Sequence, residues 1–319
     1  MNRIAIVGAG AIGVRHLQGL AALSRPLDVH VVDPSEKSWA RAAALLLEAG
    51  GLKVGKVRYH ADPSDIPIVD LAIVATNARE RAGIVSDLVQ RGVRCFILEK
   101  VLFPRLAEYD HIESLFAQNK VSAWVNCVRR AYPRANLLLD LIGGRPFTYS
   151  VDGQGWGLAC NVIHHLDEVA MLSGASDIHL ENEGLAPQTI SAKRPGYIEF
   201  LGNLGGTVGK NSRFSATCLS GAPADRIVTI ACNALQLRIS QTGQTLSIKN
   251  DMGERIESFP IPLQSEATAD HVTHILDGRA PALPNYSTAA KLHRVMIGTF
   301  LDHLRQTTGN PDLDECPIT

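Results

Sequence analysis

The sequence predicts two domains of different class. The first is a doubly wound α/β domain, and the second is an α+β domain on an open, largely antiparallel sheet. Three observations predict this. Ile4–Val7 is a short apolar run followed at once by Gly8-Ala9-Gly10-Ala11-Ile12-Gly13. Short apolar runs then alternate with helix-patterned segments as far as Val128. From Tyr149 onward the pattern changes to brief runs separated by turn residues.

Ile4–Val7 reads as a strand buried on both faces of a parallel sheet. Gly8, Gly10 and Gly13 form G-x-G-x-x-G, the dinucleotide-binding (Rossmann) fingerprint. The first glycine permits a sharp turn. The second lets the backbone approach a pyrophosphate, and the third lets the helix pack close to its strand. That helix starts near Gly10, so the turn of Ala11, Ile12 and Gly13 presents its N–H groups and positive dipole end to phosphates. Ile12, Leu17, Leu20 and Leu23 supply its apolar residues. Val29–Asp33 is the second run, and it ends in an acid where the fingerprint wants a carboxylate for the ribose hydroxyls. An acid there repels a 2′-phosphate, so NAD is expected rather than NADP. The bland alternative is that Asp33 only caps a turn before Pro34.

The next elements follow in order. Ser38–Ala49 predicts a helix stopped by Gly50-Gly51, and Val57–His60 a short strand. Asp62-Pro63-Ser64 and Ile66-Pro67 mark loops. Asp70–Ala75 is a buried strand followed by Thr76-Asn77 and a helix through Leu88, which Gly92 ends. Val93–Leu98 is another strand, ending in Glu99-Lys100, and Leu106–Asn119 and Val121–Val128 complete the domain as helix and strand. Ligands of such sheets sit beyond the carboxyl ends of the strands. Gly8, Asp33, Thr76-Asn77 and Glu99-Lys100 are therefore expected on one rim, all as candidate cofactor residues. A lysine there, next to a nicotinamide, can hydrogen-bond the substrate oxygen and take its proton. Glu99 can hold the ribose or orient the lysine. A solvated Glu-Lys pair is the alternative.

At 319 residues the chain can hold two ordinary domains, and a formal net charge of -1 gives no basic footprint for nucleic acid. No apolar run is long enough to span a bilayer. Met1-Asn2-Arg3-Ile4 enters a strand at once, so no signal peptide is expected. The six cysteines are scattered without a C-x-x-C pair, which suggests free thiols in a reducing cytoplasm.

GAGAIG, Asp33, Val74-Ala75-Thr76 and Glu99-Lys100 together resemble the Gfo/Idh/MocA oxidoreductases, named for glucose–fructose oxidoreductase and inositol dehydrogenase. The resemblance implies that Lys100 acts in catalysis beside the nicotinamide. The family's Glu-Lys-Pro has Val101 in place of proline here, and in several members the Lys-Pro bond is cis. A non-proline cis bond costs ~3 kcal/mol, so Lys100-Val101 is expected to be trans. Asn77 stands where the family often has proline. Arg129-Arg130-Ala131-Tyr132-Pro133 resembles the family's crossing into a substrate domain, which sets the boundary near Asn126 and gives domains of residues 1–125 and 126–319. Arg130 is a candidate substrate residue, or a surface arginine packed over the crossover.

Gly155–Gly174 is the second informative stretch. As a helix it places Cys160, His164, Asp167, Glu168 and Met171 at three- and four-residue steps on one face. The family's D-x-G-x-H-x-x-D motif falls here, with His164 on its histidine and Asp167 on its later acid. The resemblance implies that His164 is catalytic beside the lysine. Cys160 occupies the place of the first acid and cannot reproduce a carboxylate's charge; it marks more proton handling by Lys100 and His164, or altered chemistry. Asn161 is a further candidate substrate contact. For His164 alone the alternative is a satisfied, half-buried histidine, and for His165 a place on another helical face is preferred. No spacing supports a metal site, His271 and His274 included.

Tyr197–Leu201, Gly206–Lys210, Phe214–Leu219, Arg226–Cys232, Leu235–Gln241, Gln244–Lys249 and Arg255–Phe259 read as strands, with a hairpin turn at Asn233-Ala234. Leu283-Pro284-Asn285-Tyr286-Ser287 leads into a last amphipathic helix ending near Arg305, with Ser287 as its expected cap. His293 on that helix is expected in the core or at the surface rather than in a pocket. The family reading implies hydride exchange between NAD(P) and a sugar, polyol or sugar derivative, in a homo-oligomer (dimer or tetramer) joined through the second sheet. Two rivals stay open: an NAD-dependent glycosidase of the same fold, and a non-catalytic NAD-binding sugar sensor.

Overall fold

Six strands build the first sheet: β1 (Asn2–Val7), β2 (Leu27–Val32), β3 (Gly55–His60), β4 (Leu71–Val74), β5 (Cys95–Leu98) and β6 (Ser122–Val125). All pair in parallel, in the order β3-β2-β1-β4-β5-β6. Ile4 lies opposite Val29 on one side and Leu71 on the other, so the order reverses beside β1. That reversal is the switch point where ligands of such sheets bind. β2 and β4 are buried at every residue; β4 is wholly apolar, whereas β2 carries Asp28 and His30 among its apolar residues. The connecting helices are α1 (Ala11–Ala21), α2 (Glu36–Glu48), α3 (Ala78–Gln90) and α4 (Leu106–Asn119). α2 starts two residues earlier than its apolar pattern suggests, because the Ser35 hydroxyl accepts from the Ser38 amide at 3.4 Å. Leu17, Leu20 and Leu23 of the α1 region are buried as expected, but Ile12 is 43% exposed. It stands in the first turn, beyond the end of β1.

The computed structural model describes residues 1–175 and 177–319. These fall into two compact units. The first is Met1–Phe103, Ala107–Val128 and Pro262–Ala289, and the second is Pro104–Leu106, Arg129–Ile261 and Ala290–Thr319.

The second unit opens with α5 (Ala135–Ile142), an apolar helix closed by Gly143 at φ +60° that the sequence reading passed over. Its large sheet contains β7 (Thr148–Gln154), β8 (Ile178–Glu181), β11 (Gly202–Val208), β12 (Ser212–Leu219), β13 (Ile227–Cys232), β14 (Leu235–Ser240), β15 (Thr245–Asn250) and β16 (Gly253–Ser258). A separate short pair joins β9 (Ile190–Ser191) to β10 (Ile198–Glu199). The large sheet runs β16-β15-β14-β13-β7-β12-β11-β8. Every pairing is antiparallel except β7 with β12, so the expectation of a largely antiparallel sheet holds. Tyr149, Val151, Phe214, Ala216, Val228, Ile230, Leu237 and Ile239 alternate onto the buried face. α6 (Leu158–Ser173) packs on β11 and β12.

The last two helices are α7 (Gln264–Leu276) and α8 (Tyr286–Thr308). α7 packs against α1, and a Cβ on Gly19 would stand 2.5 Å from the Ser265 carbonyl oxygen and 2.8 Å from the Thr268 Cβ. Val125 N donates to Pro284 O at 3.0 Å, which extends the ladder past β6. The first unit therefore includes Pro262–Ala289, a return that a single boundary at residue 126 does not contain. α8 is capped by Asn285, whose Oδ1 accepts from Thr288 N at 2.9 Å, rather than by Ser287. The helix starts at Tyr286, so Asn285 holds the capping position and Ser287 is already inside. His293 is fully buried.

Candidate functional site

In the first unit, the residue after each strand continues the ladder to its neighbour. Gly8 N donates to Val32 O (2.8 Å), Ala75 N to Val7 O (2.7 Å), Glu99 N to Val74 O (3.0 Å) and Asn126 N to Leu98 O (2.9 Å). Asp33 N donates to His60 O at 3.0 Å. One rim thus carries Gly8, Asp33, Ala75-Thr76, Glu99-Lys100 and Asn126.

Each glycine of the loop has a separate reason. Gly8 has φ +93°, and a Cβ there would lie 2.9 Å from the Ala75 carbonyl carbon. A Cβ on Gly13 would sit 1.8 Å from the Gly8 carbonyl oxygen, so only glycine lets α1 lie so close to the loop. Gly10 differs: its φ is -68°, and a Cβ would meet nothing within 4 Å. The chain itself makes no demand for glycine there, and the open space is what a close-lying pyrophosphate needs. No side chain caps α1, and its first turn carries no acid. Helix end and loop together fit a dinucleotide phosphate.

Asp33 is half-buried. Its Oδ2 accepts from Ala9 N at 2.8 Å and its Oδ1 from Ser35 N at 3.0 Å. The carboxylate thus caps its own turn, as the second sequence reading has it, and also ties that turn to the glycine loop. A carboxylate has about four acceptor positions, so two remain for ribose hydroxyls. The Thr76 hydroxyl is buried without a partner among the described residues, as expected of a group that meets a ligand. Asn77 sits at the N-cap of α3.

Arg81, almost fully buried, donates to the carbonyls of Thr76, Val101 and Leu102. It thus fixes the loop after β4 against the turn after β5. The Lys100-Val101 bond is cis, contrary to the sequence expectation. That expectation rested on isolated peptides. Here the Val101 side chain is fully buried, and its carbonyl and the next are both held by Arg81.

Glu99 is 6% exposed and belongs to a polar chain that the sequence did not reveal. His16 Nε2 lies 3.0 Å from Glu99 Oε1, and His16 Nδ1 lies 2.8 Å from Thr268 Oγ1. Asn126 donates to the same Glu99 oxygen and, at 3.0 Å, to Gln264 Oε1. Burial works to raise the Glu99 pKa. The hydrogen bond and charge of His16, the nearby Lys100 cation and the Asn126 amide outweigh it, so the value falls below the ordinary one. The sign follows: Glu99 contributes stability above the unfolded carboxylate value of ~4.3 and loses it as pH drops through the lower folded value. Glu99→Gln is expected to lower stability by about 1–3 kcal/mol above pH ~5. The gap from wild type should close toward pH ~3, as read by thermal unfolding across pH.

In the second unit, α6 is entered through Gly157 at φ +71° and left through Gly174 at φ +66°. Asn161 Nδ2 donates to Trp156 O (2.7 Å) and Gly157 O (3.1 Å), which holds the turn before the helix. Cys160 and His164 are half-buried one helical turn apart. Asp167 is fully buried, and both its oxygens are taken by Arg130, from Nε at 2.7 Å and from Nη2 at 2.8 Å. These two substrate candidates are thus each other's partners. Burial raises the Asp167 pKa against the lowering pull of Arg130.

Behind α6, Arg129 Nε donates to Glu168 Oε2 at 2.6 Å, with both residues at most 2% exposed. The Tyr149 hydroxyl donates to the same oxygen and lies 2.6 Å from His165 Nδ1. With that hydroxyl proton on the carboxylate, Nδ1 of His165 must be the donor. Burial, then the Arg129 charge, pushes the His165 pKa well down, consistent with a neutral ring in the core. None of His16, Arg81, Arg129, Glu168 and Asn126 was singled out as a site residue from the sequence. Their partners are remote in the chain, and only Glu168 had been placed on a helix face.

Among the described residues, no group of three or more His, Cys, Asp or Glu could hold a metal, and no helix is long and apolar enough to cross a membrane. Residues 2–127 match a family model described as an oxidoreductase family with an NAD-binding Rossmann fold. Curated proteins yield no sequence match. Three solved structures share the fold. A UDP-N-acetylglucosamine 3-dehydrogenase from Acidithiobacillus ferrooxidans is 17% identical, with 93% of this chain and 96% of that chain covered and a TM-score of 0.69. An oxidoreductase from Agrobacterium radiobacter, in complex with NAD+, L-tartaric acid and magnesium, is 13% identical over 98% of each chain, with a TM-score of 0.72. A 3-ketoreductase from Actinomadura kijaniata, in complex with NADP, is 14% identical, covering 96% of this chain and 97% of that chain with a TM-score of 0.71.

Proposed function

We propose that this chain, which belongs to the Gfo/Idh/MocA oxidoreductase family through residues 2–127, exchanges hydride between a nicotinamide dinucleotide and a sugar, polyol or sugar-derivative hydroxyl or carbonyl. The glycine cradle carries the reading: an open Cβ position at Gly10, an uncapped helix end and the Asp33 carboxylate meet at the sheet's switch point. The similarity in fold to a UDP-N-acetylglucosamine 3-dehydrogenase supports the sugar class.

The dinucleotide, when bound, supplies the hydride acceptor or donor. The chain supplies position and proton handling. The amides at the start of α1, from Gly10 to Gly13, hold the phosphates, Asp33 takes the ribose hydroxyls, and Gly8, Thr76 and Asn77 line the rim. Lys100 accepts the proton of the substrate hydroxyl as it is oxidised and returns it in reduction. His164 orients that hydroxyl. Glu99, gripped by His16 and Asn126, is a positioning residue for Lys100. Arg130 and Asp167, paired with each other, tie the segment after β6 to α6 rather than contact substrate as separate groups. A homo-oligomer through the outer face of the large sheet belongs to the same reading.

The direct test is a screen of sugars and polyols for reduced-nicotinamide absorbance with NAD and NADP. Binding of both dinucleotides without turnover of any substrate would favour the sensor, a reading that Cys160 in the acid's place keeps open. NAD is expected to be preferred. Asp33→Ser should weaken NAD more than NADP and shift the ratio of their affinities by about ten-fold, the worth of one good hydrogen bond to a charged group. It should weaken both somewhat, since Ala9 N also loses its acceptor. An unchanged ratio by calorimetry would remove Asp33 from the ribose site.

A further inference from the structure

Three arginines lie behind or beside α6, and two of them are matched. Arg129 pairs with Glu168 and Arg130 with Asp167. Arg226, just before β13, forms no ion pair among the described residues. Its guanidinium lies over the Trp156 ring, 5.3 Å from the centroid. Among the described residues its side-chain hydrogen bond is Nη2 to Gln241 Oε1 at 3.2 Å. Neighbouring Asp225 makes no ion pair with it and instead accepts from Ser240 Oγ at 2.6 Å and Thr242 N at 2.8 Å. Arg226 Nε, Gln241 Nε2 and Arg129 Nη2 are all buried donors without an acceptor among the described residues. A cluster of donors only, one of them cationic, is matched by anionic oxygens.

The groups that act electrostatically on Arg226 are Arg129, Tyr132, Tyr149 and Cys160. Cys160 is the key member. Trp156, which Arg226 covers, lies in the turn before α6 that Asn161 holds, so the guanidinium lies near the start of the helix that carries Cys160, and a thiol there, unlike a carboxylate, brings no permanent counter-charge. Arg226 is only partly exposed, and a half-buried cation with no counter-charge is costly unless something arrives to pair with it.

We propose that Arg226, with Gln241 beside it, anchors an anionic group, a carboxylate or a phosphate, carried by the sugar substrate. The inference rests on the oxidoreductase reading for its substrate. Cys160 and His164 are one turn apart on α6, about 6 Å along its axis. The anion then lies near the start of α6, beside the Trp156 ring. Substrates are sugar acids or sugar phosphates, and neutral sugars bind poorly.

The test uses the full chain saturated with NAD, and three probes: D-glucose, D-glucuronate and D-glucose 6-phosphate. Calorimetry is expected to show one anionic probe binding at least about ten-fold more tightly than glucose, with the advantage shrinking as salt rises. Which probe wins distinguishes carboxylate from phosphate. Arg226→Met should erase the advantage, and Arg226→Lys should keep part of it, with NAD affinity unchanged in both. In buffer free of carboxylate and phosphate, the unfolding midpoint of Arg226→Met should be equal to or above wild type, since an unpaired cation has been removed. Equal affinity for all three probes would overturn the proposal. So would a fall in that midpoint as deep as the one Arg129→Met causes, which would make Arg226 a structural residue. Because the readout is binding, failure of the oxidoreductase reading shows separately, as absent NAD binding or absent turnover.

Discussion

Arg129→Met is expected to lower the unfolding free energy by about 3–5 kcal/mol, read as a reduced urea midpoint at unchanged slope. Methionine keeps much of the arginine stem, so little packing is lost. What is lost is the counter-charge of Glu168, which is 1% exposed and, among the described residues, has only the Tyr149 hydroxyl as a further side-chain donor. Burial pulls the Arg129 pKa down, but the adjacent Glu168 carboxylate more than offsets it and the guanidinium stays charged. Removing one partner strands the other. Arg129→Met combined with Glu168→Leu should recover most of the loss, because the desolvation cost of both charges disappears with them. A double variant as unstable as the single one would mean that shape, not charge, is what this pair contributes.

Lys100→Met is expected to lower kcat by about 10²–10⁴-fold, the usual worth of a positioned acid–base group. NAD affinity should change little, because the stem remains and the cradle lies elsewhere on the rim. The substrate KM should rise modestly, from one lost hydrogen bond. An equal fall in stability would point instead to the Glu99 network, since Lys100 contributes to the field that keeps Glu99 ionised. Retained kcat on a turned-over substrate would remove Lys100 from the chemistry.

The dinucleotide rim was legible because its parts are local. A strand, a glycine turn, a helix and an acid lie within Ile4–Asp33, and Gly8 and Gly13 each have a reason that neighbouring backbone supplies. The antiparallel strands were legible through period-two burial, as in β13 and β14. The polar supports were not. His16 meets Thr268 across 252 positions, and no local pattern pairs them. Arg129 and Arg130 stood out, but nothing in their spacing says that Glu168 and Asp167 receive them. The cis bond at Lys100-Val101 reversed a propensity argument, because tertiary partners outweigh local preference at a buried strand end. Asn285 displaced Ser287 as a cap by two positions, which lies within the ordinary uncertainty of helix starts.

The α7 return, seated on α1 where Gly19 leaves no room for a side chain, has a consequence for biosynthesis. The ribosome delivers the six strands of the first sheet early, yet Thr268 and Gln264, which complete the hydrogen bonds around His16 and Asn126, emerge only after the whole second sheet. The nascent cofactor domain must wait, with one face of α1 uncovered, through the synthesis of well over a hundred residues. A fragment cut at residue 128 would stay in that incomplete state.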